Sequence, residues 1–363
     1  MDKGLSHCPS CFIKGLIFSR DKGPVPSSHI HLGQGTCPYV PKGRGDSLVS
    51  YIVKRLFALI PVLFVVSIAI FLIVHLTPGD PAAAILGIEA SEEQIEALNE
   101  ELGLNLPVHV QYVNWVAGVL QGDFGTSYFM EEPVMESILS HLGPTMSLAI
   151  LAEIVALILA IPIGILAAYR QGSLTDQSLM VVSLLGMAVP SFLLGLLLML
   201  WFGVHLQWLP IAGYEPLSEG LWEHLRYLIL PAISLGTIQA ALVARMTRSS
   251  MLEVLNKNFI KTARSKGLQE RKVVAKHALR NAFLPILTVI GQSFGTLVTG
   301  AVVVETIFNL PGLGQLIINS IERRDFAVIQ GVVLFVTLAY VFINLIVDLL
   351  YGVIDPRVRL ERK

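Results

Sequence analysis

Charge is what this chain of 363 residues has little of: Asp, Glu, Lys and Arg together make up 15%, against about 25% in soluble domains. Cysteine is scarcer still. There are three, an odd number that encodes no disulfide framework. Neither sign of charge dominates, and a net charge of −1 leaves no global field to draw in a polyanion, which excludes a nucleic-acid binder. The phosphate-loop pattern G-x-x-x-x-G-K-[ST] and the zinc-protease pattern H-E-x-x-H are both missing, so neither chemistry is encoded. What is present is apolar: 53% hydrophobic residues and a mean hydropathy of +0.66. Disordered regulators and ordinary cytosolic enzymes are excluded on that ground. The class is an all-α, polytopic membrane protein.

A hydrocarbon core of about 30 Å takes roughly 20 apolar residues of helix to cross. Six stretches qualify, at 56–74, 146–169, 179–202, 228–244, 282–304 and 328–347. Glu153 is the only Asp, Glu, Lys or Arg inside them. Prolines 61, 162, 190, 231 and 285 fall in the spans or at their ends, where neighbouring helices can satisfy the freed carbonyls.

The connections set the expected orientation. Residues 76–144 hold no Lys or Arg but eleven acids, whereas 245–280 hold ten basic residues against Glu253 and Glu270. Lys54 and Arg55 precede the first span, and Arg357, Arg359, Arg362 and Lys363 follow the sixth. Positive charge stays in the cytoplasm, so both termini are expected there. Arg323 and Arg324 fall outside against this rule, flanked by Glu322 and Asp325.

The outer loop, 76–145, is expected to carry a small helical cap. Ser91 with Gln94 makes a capping-box pattern, Ile95, Leu98 and Leu102 form a helical stripe, and Gly103 ends it. Residues 133–142 read as a second short helix stopped by Gly143-Pro144. Residues 1–48 are different: seven glycines, five prolines and no sustained periodicity read as a disordered cytoplasmic leader or an over-long start. It contains Cys8, Cys11 and Cys37 with three nearby histidines, a weak candidate for a tetrahedral metal site. The membrane domain is then 49–359, with a short tail at 360–363.

Gly291-Gln292-Ser293-Phe294-Gly295 matches the nucleophile-elbow pattern G-x-S-x-G. It lies inside a span with no preceding strand, so Gly291 and Gly295 read instead as a close helix–helix contact. Glu153, about 12 Å deep at 1.5 Å per residue, reads as a proton or ion relay or as an interior hydrogen-bonding group. Glu153 and Ser293 are the candidate pathway residues.

The basic inner loop, 245–281, is more specific than topology requires. Residues 259–266 form a short helix-compatible run, Gly267 can end it in the left-handed conformation, and a second run leads to Pro285. A short helix held by two arms is a lever.

Lys261-Thr262-Ala263-Arg264-Ser265-Lys266-Gly267-Leu268, followed by His277-Ala278-Leu279-Arg280-Asn281-Ala282, resembles the cytoplasmic coupling loop of ABC-importer permeases. The chain is most similar to the dipeptide/oligopeptide branch, which also includes nickel and glutathione systems. Supporting pieces come in order: Thr77-Pro78-Gly79-Asp80-Pro81, Gly122-Asp123-Phe124-Gly125, and Arg245-Met246-Thr247-Arg248-Ser249-Ser250-Met251. Glu305-Thr306-Ile307-Phe308 with Pro311-Gly312-Leu313-Gly314 follows, and Asn344, Asp348, Tyr351 and Pro356-Arg357 close the set. Where the general loop begins Glu-Ala-Ala, this chain has Lys261, Thr262 and Ala263.

The resemblance implies a type I permease fold of six transmembrane helices in the cytoplasmic (inner) membrane. It implies a second permease subunit, two cytoplasmic ATPases and an external solute-binding protein. It also implies alternating access for dipeptides or oligopeptides, with nickel or glutathione as the alternative cargo. ATP is used by the partners, and no cofactor is expected on this chain. The coupling residues it implies are Phe259, Lys261, Thr262, Ala263, Arg264, Lys266, Gly267 and Leu268. Ala263 is expected on the face flush against an ATPase. An ATP-independent secondary transporter would need intramembrane ion ligands or inverted repeats, and the sequence shows neither.

Overall fold

The computed structural model describes residues 48–76, 81–86 and 90–354. Among them the apolar runs are helices, and the only β pairing is one bridge between Thr126 and Pro133. The first helix, α1, is Leu48–Leu76 and carries Pro61 within it. Its Phe57, Ile60, Phe64 and Val65 are exposed, as side chains facing acyl chains must be.

α2 (Pro81–Leu86), α3 (Glu92–Glu101) and α4 (Val108–Leu120) form the cap. Ser91 and Gln94 make the expected reciprocal capping box, and Gly103 ends α3 at φ +68°. The Tyr112 and Trp115 rings of α4 pack on Phe71, and the Tyr112 hydroxyl is 2.8 Å from Ser67 Oγ. The cap is thereby fixed to the C-terminal half of α1.

α5 is one helix of 36 residues, Val134–Tyr169. It absorbs the expected short helix at 133–142 and runs straight through Gly143-Pro144 instead of stopping there. An interior proline costs about 3 kcal/mol, but Val134, Ile138, Pro144 and Leu148 are all buried on one face. Val134 and Ile138 share a core with Leu316 and Val328, and each such side chain contributes roughly 1.5–3 kcal/mol.

α6 (Leu174–Ala188), capped by Ser173, and α7 (Ser191–Leu198) occupy the expected third span. That span is not one straight helix. The two halves meet at 95° across Val189-Pro190, and α7 continues as a π-helical stretch, Met199–His205. Val189 is extended at ψ 120°, the conformation favoured before proline, and Pro190 has no N–H to continue the ladder.

α8 runs Leu221–Leu255, well past the expected end of its span at residue 244. α9 (Asn258–Ser265), α10 (Glu270–Lys272) and a π-helical turn at Val273–Ala278 follow. Beyond them lie α11 (Leu279–Gly300), α12 (Val302–Ile307), α13 (Leu313–Arg323) and α14 (Phe326–Ile354).

Six complete spans are not reached among the described residues. Four helical stretches are long and apolar enough to cross a bilayer, and the bent α6–α7 pair makes a fifth if taken as one span. Within α1, the apolar stretch Phe57–Leu72 is a further, shorter one among the described residues.

The centre of the bundle is α5 against α8. Between helices in lipid, close backbone approach replaces hydrophobic burial as the packing force. α5 presents Ala149, Ala152, Ala156, Ala160 and Gly164 at three- and four-residue spacing, all buried. A Cβ added at Gly236 on α8 would lie 2.6 Å from the Ala152 carbonyl, and one at Gly164 would lie 2.7 Å from that of Ala244. The expected close contact at Gly291 and Gly295 is also present: a methyl at either would press on Val347 or Tyr340 of α14.

Candidate functional site

One end of the bundle is built around α9. Lys257 breaks the chain from α8 with extended geometry, and α9 turns back beneath it. Its two apolar residues at three-residue spacing, Ile260 and Ala263, are buried in a core with Met251, Val254, Val273 and Ala278. Ala263 therefore packs against its own chain, not outward as expected, because the apolar stripe of this amphipathic helix is used to hold it in place. The side chains left outside are Phe259, Lys261, Thr262, Arg264, Lys266 and, beyond the helix, Leu268.

Gly267 ends α9 at φ +75° with open space around its Cα. The Leu268 amide donates to the Ala263 carbonyl (3.4 Å) and the Gly267 amide to that of Arg264 (2.9 Å), completing a Schellman motif. Arg264 then clasps Glu270 across the turn, Nε to Oε2 at 3.2 Å and a terminal nitrogen to Oε1 at 2.6 Å. Hydrogen bonding to Glu270 raises the pKa of the guanidinium further above its ordinary value. From α10 the π-turn leads directly into α11, so α9 sits between two long helices with little slack.

Glu153 and Ser293, on α5 and α11, are brought together. The Ser293 hydroxyl donates to Glu153 Oε2 at 2.6 Å in a buried contact. Glu153 Oε1 is buried with no partner. Cys8, Cys11 and Cys37 lie outside the described residues.

Two polar sites were not singled out from the sequence for their chemistry. Glu305, fully buried on α12, accepts from Thr145 Oγ1 at 2.7 Å and from the Gly314 amide at 2.7 Å. Thr145 in turn accepts from the Leu313 amide at 2.8 Å, so the N-terminus of α13 closes around the carboxylate. Burial pushes the Glu305 carboxyl above the usual carboxylate range, against the pull of these donors. The second site is Asp176, gripped by Arg248 through both oxygens at 2.6 and 2.7 Å. Charged residues placed far apart in sequence but next to span ends were the available signal for both.

An apolar helical bundle, tightened by small residues and ending in a helix–turn–helix at one face, defines a multi-pass membrane protein. The chain belongs to the family of binding-protein-dependent transport system inner membrane components, whose model matches residues 160–360, with the N-terminal part of the same system matched over 48–149. It is an ABC transporter permease subunit and not an enzyme.

A probable peptide ABC transporter permease protein of Sinorhizobium fredii, y4tP, is 44% identical over 309 residues, spanning 85% of this chain and 99% of that one. The glutathione transport system permease protein GsiC of Salmonella typhimurium is 45% identical over 312 residues, or 86% and 99%. Chains of the MetNI methionine ABC transporter in inward-facing conformations share the fold, with TM-scores of 0.51 and 0.50. They are 16% identical and cover 61% of this chain and 97% of theirs. Membership implies ATPase and binding-protein partners and a multi-pass position in the inner membrane.

Proposed function

We propose that this chain is one permease half of an ATP-driven importer of short peptides, moving them inward by alternating access. The observation that carries the reading is near end-to-end identity of 44% with a probable peptide permease. Glutathione, itself a tripeptide, is the second reading, supported by 45% identity to a glutathione permease. A second, related permease completes the pathway, a solute-binding protein delivers the cargo from outside, and two cytoplasmic ATPases use the ATP. The near absence of charge in the spans suits a path tolerant of varied side chains.

Both termini are assigned to the cytoplasm, supported by the basic 245–280 segment and the Lys- and Arg-free 76–144 segment. α9 is assigned as the coupling helix. Its outward side, with Phe259 at 42% exposure, meets the ATPase. Ala263 and Ile260 anchor it from beneath, while Gly267 and the Arg264–Glu270 clasp hold its angle.

The test is uptake into proteoliposomes containing the permease pair and ATPases, with binding protein and labelled dipeptide, tripeptide, glutathione or Ni²⁺ outside. ATP-dependent peptide accumulation is expected. Accumulation driven by an ion gradient without ATP would make the chain a secondary transporter instead.

A further inference from the structure

We infer that Asp176 and Arg248 form a transmission joint, carrying displacement of the coupling end of α8 into the first half of the bent α6–α7 span. The inference rests on the assignment of α9 as the coupling helix. It begins with where the pair sits. α5 ends at Tyr169, and Tyr169 shares a groove with Glu270 and Arg271 of the α9–α11 connection. The α5–α6 turn is therefore at the same end of the bundle as α9, and Arg248 lies on the part of α8 that leads to α9.

The joint is built to resist slipping. Arg248 meets Asp176 through a two-pronged fork, which fixes angle as well as distance. The Asp176 side chain is only 4% exposed and Arg248 is 28% exposed, so water reaches the contact from the arginine side alone. The same carboxylate accepts from the Gly172 amide at 3.0 Å, and the Asp176 amide donates to Ser173 Oγ at 3.3 Å. A pull on Arg248 thus reaches the whole α5–α6 turn and the start of α6.

Beyond that turn one side of α6 faces outward, with Val181, Val182, Leu184 and Leu185 exposed, and the other rests on α8, where a Cβ added at Gly186 would touch Thr237 and Ala241. α7 has different attachments. Ser234 Oγ donates to the Ser191 carbonyl at 2.6 Å, and Phe308 of the α12 end lies against Gly195. Both halves of the span are thus tied to α8, α6 at Arg248 and α7 at Ser234, but only α7 is also held by Phe308. α6 follows the Arg248 end of α8, Phe308 restrains α7, and the break at Val189-Pro190 lets their angle change.

The test uses the assembled transporter with Cys8, Cys11 and Cys37 replaced and spin labels at the exposed positions Ser178 and Ser265. With the joint intact, the distance between these labels should not change when ATP is trapped, because α6 and α9 move together. In Arg248→Asp or Asp176→Arg it should change, and uptake should fall by about tenfold or more with the ATPases still bound. The exchanged pair, Asp176→Arg with Arg248→Asp, should recover uptake and the constant distance. Asp176→Asn, which keeps the shape, should lower uptake at unchanged membrane level.

Normal uptake in Asp176→Asn, or a wild-type label distance that changes on ATP trapping, would overturn the joint. Failure of the coupling assignment reads differently: Phe259→Asp would then leave ATPase retention and uptake intact, whatever the labels report.

Discussion

The hydroxyl of Ser293 on α11 donates to Glu153 Oε2 on α5 at 2.6 Å, deep in the bundle and 140 residues away in sequence. The sequence shows these as an isolated acid and a discredited nucleophile; the structure makes them partners. A carboxylate is costly at this depth, and among the described residues Ser293 is the one donor to it, Oε1 having no partner.

Ser293→Ala should therefore destabilise the permease by about 1–3 kcal/mol, the cost of leaving a buried polar group unmade. Glu153→Gln keeps an acceptor and removes the charge, and should melt near the wild type. Thermal unfolding in detergent checks both. A Ser293→Ala melting point equal to that of the wild type would show that the bond contributes nothing.

The cradle around Glu305 predicts glycine substitutions of opposite sign. A Cβ at Gly314 would lie 2.7 Å from Glu305 Oε2, and one at Gly312 would lie 2.5 Å from Oε1. Alanine at either should destabilise by about 1–3 kcal/mol or more through overpacking. Gly143, inside α5 with nothing within 4 Å of its would-be Cβ, should gain about 0.5–1 kcal/mol as alanine. The same melting assay separates them.

At the coupling end, Phe259→Asp should weaken ATPase association and abolish transport-stimulated hydrolysis while the membrane level stays normal. Gly267→Val places a β-branched residue at φ +75° and strains the turn by about 1–3 kcal/mol, with the same functional outcome. Neutralising the exposed Lys272 or Lys276 should change little. Normal uptake in both Phe259→Asp and Gly267→Val would remove α9 from the coupling path.

The orientation is checked by single cysteines at the exposed positions Gln121 and Ser265 in a background lacking the native three. An impermeant reagent added outside intact cells should label Gln121→Cys only. Labelling of Ser265→Cys would reverse the topology.

What the sequence made legible was mostly local. The Ser91–Gln94 cap and the Gly267 stop depend on residues within a turn of each other, and both appear as expected. The apolar runs located the helices for the same reason. Ala263 was misplaced because a helix this short can turn its small residues either way, and only the neighbouring Met251 and Val273 decide it. Gly143-Pro144 reads locally as a stop and Pro190 as a proline that a span can absorb, yet α5 runs through the first and the span breaks at the second. The difference lies in what buries each flank. Glu305 was visible only as part of a motif, because its ligands, Thr145 and the α13 amides, come from distant segments.

The 95° break in the α6–α7 span also bears on how the chain is made. α6 has 15 residues and α7 has 8, so neither half crosses about 30 Å of hydrocarbon by itself at 1.5 Å per residue. The contacts that hold the bend, Ser234 to Ser191 and Phe308 to Gly195, come from segments that leave the ribosome later. During biogenesis the local break at Val189-Pro190 is therefore present from the start, but its 95° angle is held only after residue 308 has been synthesised.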